Sequence, residues 1–221
     1  MFERIDYAEL RDLLDRGAQL VEVLPAEEYA EEHLPGAISI PLKALDSDST
    51  SALDKHEPVI VYCWDYLCDM SPRAAARLDS LGFEHVYDYA PSKVDYLARG
   101  LPREGKRAGE RRAIDVLRDD VVRCRLADSS EEARQRVEAS PYGFAIVVSE
   151  EQTVLGRLRG SALRNADGTT AEQLMEPGPS TIRADERIEA LRERMEAADL
   201  TASLVTTPDG TLLGVVRRED I

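Results

Sequence analysis

Two cysteines five residues apart, Cys63 and Cys68, stand in the stretch VYCWDYLCDMSPRAA, with Trp64, Asp65, Tyr66 and Asp69 among the residues around and between them. A cysteine ending an apolar run and facing the start of a helix is placed for nucleophilic sulfur chemistry. Free N–H groups and the positive end of the helix dipole favour the thiolate, the reactive form. Here Ser71 is the expected N-cap and Pro72 the expected first helical residue. Any strand-to-helix turn offers the same dipole, so a buried core cysteine is the plain alternative. Two thiols on one loop can also pass a persulfide or close a disulfide, if their Cα atoms come within about 7 Å; otherwise Cys68 simply fills the loop. Asp65 and Asp69 oppose a thiolate: a carboxylate about 5 Å away at an effective dielectric near 20 repels it by roughly 3 kcal/mol. His33, His56 and His85 lack ligand spacing to the cysteine pair, so no metal site is expected.

The elements around this loop alternate. Helical patterns over residues 7–16, 26–32, 71–81 and from Pro91 onward separate the short apolar runs QLVEVL, AISI, PVIVYC and HVYDY. That order predicts a parallel α/β sheet domain, with its ligand crevice beyond the strand ends, where Cys63 lies. The blocks LVEVLPAEEYAEEHLPGAISIPL, VIVYC, SPRAAARLDSLGF and GLPREG resemble, in this order, a rhodanese-like domain over residues 1–105. The resemblance implies that Cys63 carries a persulfide during sulfur transfer and that His33 packs in a structural turn. The loop departs from the family pattern. No arginine occurs between Cys63 and Ser71, Met70 stands where one is expected, and Glu22 and Leu24 replace the usual Asp and Arg. Thiosulfate is therefore a poor donor, and an uncharged or protein-bound sulfane donor is favoured. The competing reading is a non-catalytic binding module with Trp64 and Tyr66 as aromatic anchors.

Residues 106–112 read as a solvated linker. Beyond them the sequence repeats, without gaps, at an offset of 58: Arg125 matches Arg183, Ile146 matches Leu204 and Gly156 matches Gly214. Each copy, 113–165 and 169–221, reads strand, helix, strand, turn, strand, and Cys124 falls in a core strand. With DVLRDD, EQLMEP and LLGVVRRED, the two copies resemble a tandem cystathionine-β-synthase-type (CBS) pair of β-α-β-β-α units. The resemblance implies an adenosyl-nucleotide site, AMP or ATP, and pairing into a homodimer. The family's glycine-to-aspartate pattern falls on Gly214, Arg217, Arg218 and Asp220, with Arg217 in place of a hydroxyl residue. The first copy has Gly156 and Ala162 but no carboxylate, so one site per chain is expected. Asp220 would accept ribose hydroxyls and an arginine would meet a phosphate; the plain alternative is a solvated RRED tail.

Of 221 residues, 43 are Asp or Glu and 28 Lys or Arg, a net charge of −15. Residues 1–103 hold 20 acids and 10 bases, and the remainder 23 and 18. Without a basic stripe, nucleic acid is not an expected partner. No apolar run nears the 18 residues of a membrane span, and the first residues lack a signal-peptide pattern, so the cytoplasm is the expected location.

Overall fold

The computed structural model describes residues 1–164 and 168–221. The chain divides into a first unit, Met1–Glu110, and a second, Arg111–Ile221.

In the first unit the elements run β1 (Glu3–Ile5), α1 (Tyr7–Asp15), β2 (Gln19–Glu22), α2 (Ala26–Glu31), β3 (Ile38–Ser39), β4 (Val59–Tyr62), α3 (Met70–Ser80), β5 (Val86–Tyr89) and α4 (Ser92–Ala98). α1 starts on a reciprocal capping box, in which Asp6 accepts from the Glu9 amide and Glu9 accepts from the Asp6 amide. It stops before Gly17, whose φ of +89° suits glycine. The strands form one parallel sheet in the order β1-β5-β4-β2-β3. β4 lies at its centre with all four residues buried, and the two-residue period divides it between two cores. Val59, Val61 and Cys63 pack with Ala74, Ala75 and Leu78 of α3. Ile60 and Tyr62 pack with Leu10 and Leu13 of α1.

Three local expectations differ. The AISI strand shrinks to Ile38–Ser39, and β1, too short to show a period, adds an edge strand. α3 begins two residues early, with Asp69 rather than Ser71 at the N-cap and Met70 rather than Pro72 as the first helical residue; Ser71 lies inside the first turn. The segment expected as a solvated linker starts packed: the Lys106 and Arg107 amides donate to the Ala30 and Glu31 carbonyls. Gly105 permits this approach, because a Cβ there would lie 2.6 Å from the Glu31 carbonyl oxygen.

The second unit contains β6 (Arg123–Cys124), α5 (Ser130–Ala139), β7 (Phe144–Val148), β8 (Val154–Arg159), α6 (Ala171–Leu174), β9 (Glu176–Pro177), β10 (Thr181–Arg183), α7 (Ile188–Ala197), β11 (Ala202–Thr206) and β12 (Leu212–Arg217). Each copy is a strand, a helix and a hairpin, as the repeat predicts: β6-β7-β8 and β10-β11-β12. The first copy's expected limit, Asn165, lies outside the described residues. The copies exchange their leading segments. Arg118, ahead of the first copy's opening strand β6, bridges to Val215 of β12, and β9, ahead of the second copy's opening strand β10, pairs with β8. Residues 118 and 176 are 58 apart, so the exchange follows the internal repeat. Gly214 and Gly156 occupy the crossing points. A Cβ on Gly214 would meet the Arg118 carbonyl, and one on Gly156 the Met175 side chain. Buried Cys124 lies in the first copy's core.

Candidate functional site

Cys63 follows β4 directly and is fully buried. Its backbone is fixed from α4: the Cys63 amide donates to Ser92 Oγ (3.1 Å), and the Lys93 amide donates to the Cys63 carbonyl (3.3 Å). Ser92 makes this contact in a left-handed conformation, φ +59°, a strained setting for a residue with a Cβ. The Cys63 thiol is within donating distance of the Cys68 carbonyl (3.4 Å) and of Ser71 Oγ (3.2 Å), and Ser92 Oγ stands 3.8 Å from the sulfur.

The resting thiol is not a ready thiolate. Burial pushes it above its ordinary value, and this outweighs the hydroxyl and backbone N–H of Ser71, which both favour the anion. The expected lowering by the helix start is thus reversed by desolvation. The expected repulsion from the loop acids is also absent. Asp65 turns inward on the loop and accepts from the Leu67 (2.9 Å) and Cys68 (3.1 Å) amides through Oδ1. Asp69 is exposed and pairs with Arg73 (3.5 Å). Neither is among the groups that shift the thiol.

The loop is buried at its sulfur and open at its tip. Trp64 is 42%, Tyr66 65% and Leu67 93% exposed, whereas Cys68 and Met70 pack partly against the α3-side core. His33 has the structural place expected of it, stacked on Tyr29 with its Nδ1 2.7 Å from the Tyr29 carbonyl oxygen.

Sequence reading missed three charged or polar neighbours. Lys93 is buried, with Nζ 2.7 Å from Glu22 Oε1, 2.6 Å from the Glu32 carbonyl and 5.7 Å from the centre of the Trp64 ring. Burial still holds the Glu22 carboxyl above its ordinary value, against the pull of Lys93. Asp88 is buried on β5. A charge inside an apolar run, Glu22 in QLVEVL and Asp88 in HVYDY, was the available signal, since such charges need partners. Ser92 had no such signal.

In the second unit, the Arg118 guanidinium grips both oxygens of Asp220, at 2.6 and 2.7 Å, and holds that carboxyl below its ordinary value. Arg217 pairs with Glu219 (2.7 Å) and lies 5.9 Å from the Tyr142 ring centre; Arg218 pairs with Asp199 (3.2 Å). An open cleft of about 380 Å³ is lined by Tyr142, Phe144, Thr201, Arg217, Arg218 and Glu219. Gly214 stands apart in role: its missing side chain admits the Arg118 backbone. No helix among the described residues is long and apolar enough to cross a membrane.

Comparison with known proteins agrees with both halves. The rhodanese-like domain model matches residues 6–98 and the CBS domain model residues 171–221. Thiosulfate sulfurtransferase GlpE of Coxiella burnetii is 32% identical over 88 residues, 39% of this chain and 79% of that protein. An HTH-type transcriptional regulator of Mycobacterium tuberculosis is 35% identical over 83 residues, 38% of this chain but only 36% of the regulator's length. The solved CBS domains of a transcriptional regulator from Streptococcus pneumoniae align with 50% of this chain and 95% of theirs, at 22% identity and a TM-score of 0.46. With Cys63 at the end of the central strand of a parallel sheet and a duplicated unit behind it, the chain belongs to the rhodanese-like family and continues into a CBS pair.

Proposed function

We propose that Cys63 accepts sulfane sulfur and carries it as a persulfide. One observation carries the reading: Cys63 ends the central strand with its sulfur 3.2 Å from the Ser71 hydroxyl, under the first turn of α3, where the Ser71 amide favours an anion. With a low-molecular-mass persulfide RSSH as donor, Cys63 bonds to the outer sulfur and RS leaves with the electron pair of the broken S–S bond, giving Cys63–S–SH and RSH. The buried thiol and the arginine-free loop favour an uncharged or protein-bound donor over thiosulfate. Cys68, whose carbonyl faces the sulfur, is the second thiol of this relay, and mild oxidation should remove Cys63 and Cys68 from labelling together. Intact mass after exposure to cysteine persulfide should rise by one sulfur in the wild-type chain and not in Cys63→Ser. Sulfur uptake unchanged in Cys63→Ser overturns the reading. The exposure of Trp64, Tyr66 and Leu67 supports the second reading, a protein-contact loop, which that negative result would favour.

The CBS pair, on this proposal, takes one adenosyl nucleotide per chain in the cleft beside Asp220 and pairs with a second copy. Because Arg118 already holds both Asp220 oxygens, a ribose must displace it. Saturation at a hundredfold excess over Kd stabilises the folded state by about 2.7 kcal/mol. A thermal shift with AMP or ATP should shrink in Asp220→Ala, and calorimetry without binding at millimolar nucleotide removes the sensor role.

A further inference from the structure

Ser92 holds a backbone conformation that suits glycine. Among the described residues, those other than glycine with a left-handed φ are Ser92, Gln152 and Asp199. Gln152 is half-buried and Asp199 exposed, whereas Ser92 is fully enclosed at φ +59°. Glycine adopts this conformation without the cost that a Cβ brings, so a serine kept here has a use for its hydroxyl that offsets the strain.

The Ser92 hydroxyl has three neighbours. Its Oγ accepts from the Cys63 amide (3.1 Å), donates to the Tyr89 carbonyl (2.9 Å) and lies 3.8 Å from the Cys63 sulfur. A hydroxyl has one proton, and at rest the nearer Tyr89 carbonyl takes it. Turning the O–H about the Cβ–Oγ bond leaves the oxygen in place, keeps the bond from the Cys63 amide and aims the proton at the sulfur.

Resting on the sulfur-acceptor reading, we propose that Ser92 is a switchable hydrogen-bond donor to Cys63, its hydroxyl turning from the Tyr89 carbonyl to the sulfur as the thiolate forms. A hydrogen bond to an anion is roughly twice as strong as one to a neutral acceptor, which favours the exchange. Such contacts are long in the resting protein and tighten when charge develops. Ser92 passes no proton on. The Cys63 sulfur bonds to the outer sulfur of RSSH, the donor's S–S bond breaks, and its electron pair leaves on RS. RS takes up the proton that the thiol released, so Cys63–SH plus RSSH gives Cys63–S–SH plus RSH.

The ionisable groups on the elements around the sulfur are engaged elsewhere or oppose the anion. On the loop, Asp65 accepts from its own amides, Asp69 pairs with Arg73, and Cys68 adds to burial in raising the thiol. On α3, Arg77 reaches Ser80 (3.5 Å). On α4, Lys93 pairs with Glu22 of β2. On β5, Asp88 is buried, with Arg4 Nε 3.5 Å from its Oδ2. Two hydroxyls, those of Ser71 and Ser92, come within hydrogen-bond reach of the sulfur among the described residues.

The strained backbone makes the hydroxyl separable from the fold, because Ser92→Gly removes the hydroxyl and relieves the strain, whereas Ser92→Ala removes the hydroxyl and keeps it. The test, on the full chain, is NMR titration of the Cys63 13Cβ signal, assigned with Cys63→Ser, together with sulfur uptake from cysteine persulfide timed by mass spectrometry from pH 7 to pH 10. In both variants the thiol should titrate about one pH unit higher than in the wild type. The thiolate fraction then falls about tenfold at pH 7 while its nucleophilicity rises, so uptake should be roughly threefold slower there. The deficit should close toward pH 10, where the thiolate forms unaided. Ser92→Gly decides the question if Ser92→Ala fails to fold. A purely structural role predicts a defect that follows stability, is smaller in Ser92→Gly and is equal across the pH range. An unchanged Cys63 titration in Ser92→Gly, or a deficit as large at pH 10 as at pH 7, overturns the role of Ser92 and leaves the sulfur reading standing. No uptake at Cys63 in the wild type overturns both.

Discussion

Replacing Lys93 by Met keeps a long apolar stem and removes one charge from a buried pair. Glu22 is fully buried and the Lys93 side chain is 1% exposed, at an N–O distance of 2.7 Å, with a second bond from Lys93 to the Glu32 carbonyl. Removing one member of such a pair costs about 3–5 kcal/mol, because the other charge stays buried without its partner. A unit this size loses about 2 kcal/mol per molar urea, so the unfolding midpoint should fall by roughly 2 M. Trp64 is the only tryptophan and lies in the first unit, so its fluorescence follows this unit. Glu22→Leu combined with Lys93→Met should recover most of the loss, since an apolar pair carries no desolvation penalty. The sign with pH follows from the raised Glu22 carboxyl. The folded state binds that proton more tightly than the unfolded chain, so the group's contribution is full below its ordinary 4.5 and is lost as pH rises through the raised value. Lys93→Met removes an opposing charge and raises the carboxyl further, so the variant's deficit should grow from about pH 5 to neutrality. A midpoint shift below about 0.5 M at pH 7 would refute the reasoning, because it would mean that Glu22 is already neutral there.

Gly214→Ala should destabilise the second unit by about 1–3 kcal/mol and Gly156→Ala by less, read as thermal unfolding. A Cβ at 214 meets the Arg118 backbone carbonyl, whereas one at 156 meets a Met175 side chain that can move. Asp65→Ala should free the Leu67 amide, seen as faster hydrogen exchange there, while the Cys68 amide, which also donates to the residue-65 carbonyl (3.1 Å), changes less and the sheet is unaffected. Arg118→Ala should let the Asp220 carboxyl rise toward its ordinary 3.8, measured by NMR titration of the side-chain carboxyl.

The order of elements in both halves was legible because hydrophobic period and chain punctuation are local. VIVY reads as a strand buried on both faces, and the offset of 58 reads as a duplicated unit without any coordinates. The position of Cys63 at a strand end followed from the same local pattern. What burial does to a charge is not local. The expected helix-start effect on the thiol was overturned because the sulfur is fully enclosed, and desolvation exceeds the help of one hydroxyl and one amide. The loop acids were read as hostile to a thiolate, yet Asp65 spends its carboxylate on its own loop's amides and Asp69 on Arg73. Contacts between distant positions were likewise decided only on folding. Glu22 meets Lys93 across 71 residues, Cys63 meets Ser92 across 29, and Arg118 meets Asp220 across 102. The sequence by itself determined which segments become strands and helices and where the cysteine lies. The tertiary structure alone decided which charges and hydroxyls surround it, because parallel-sheet register and exchanged segments join residues that no periodicity links.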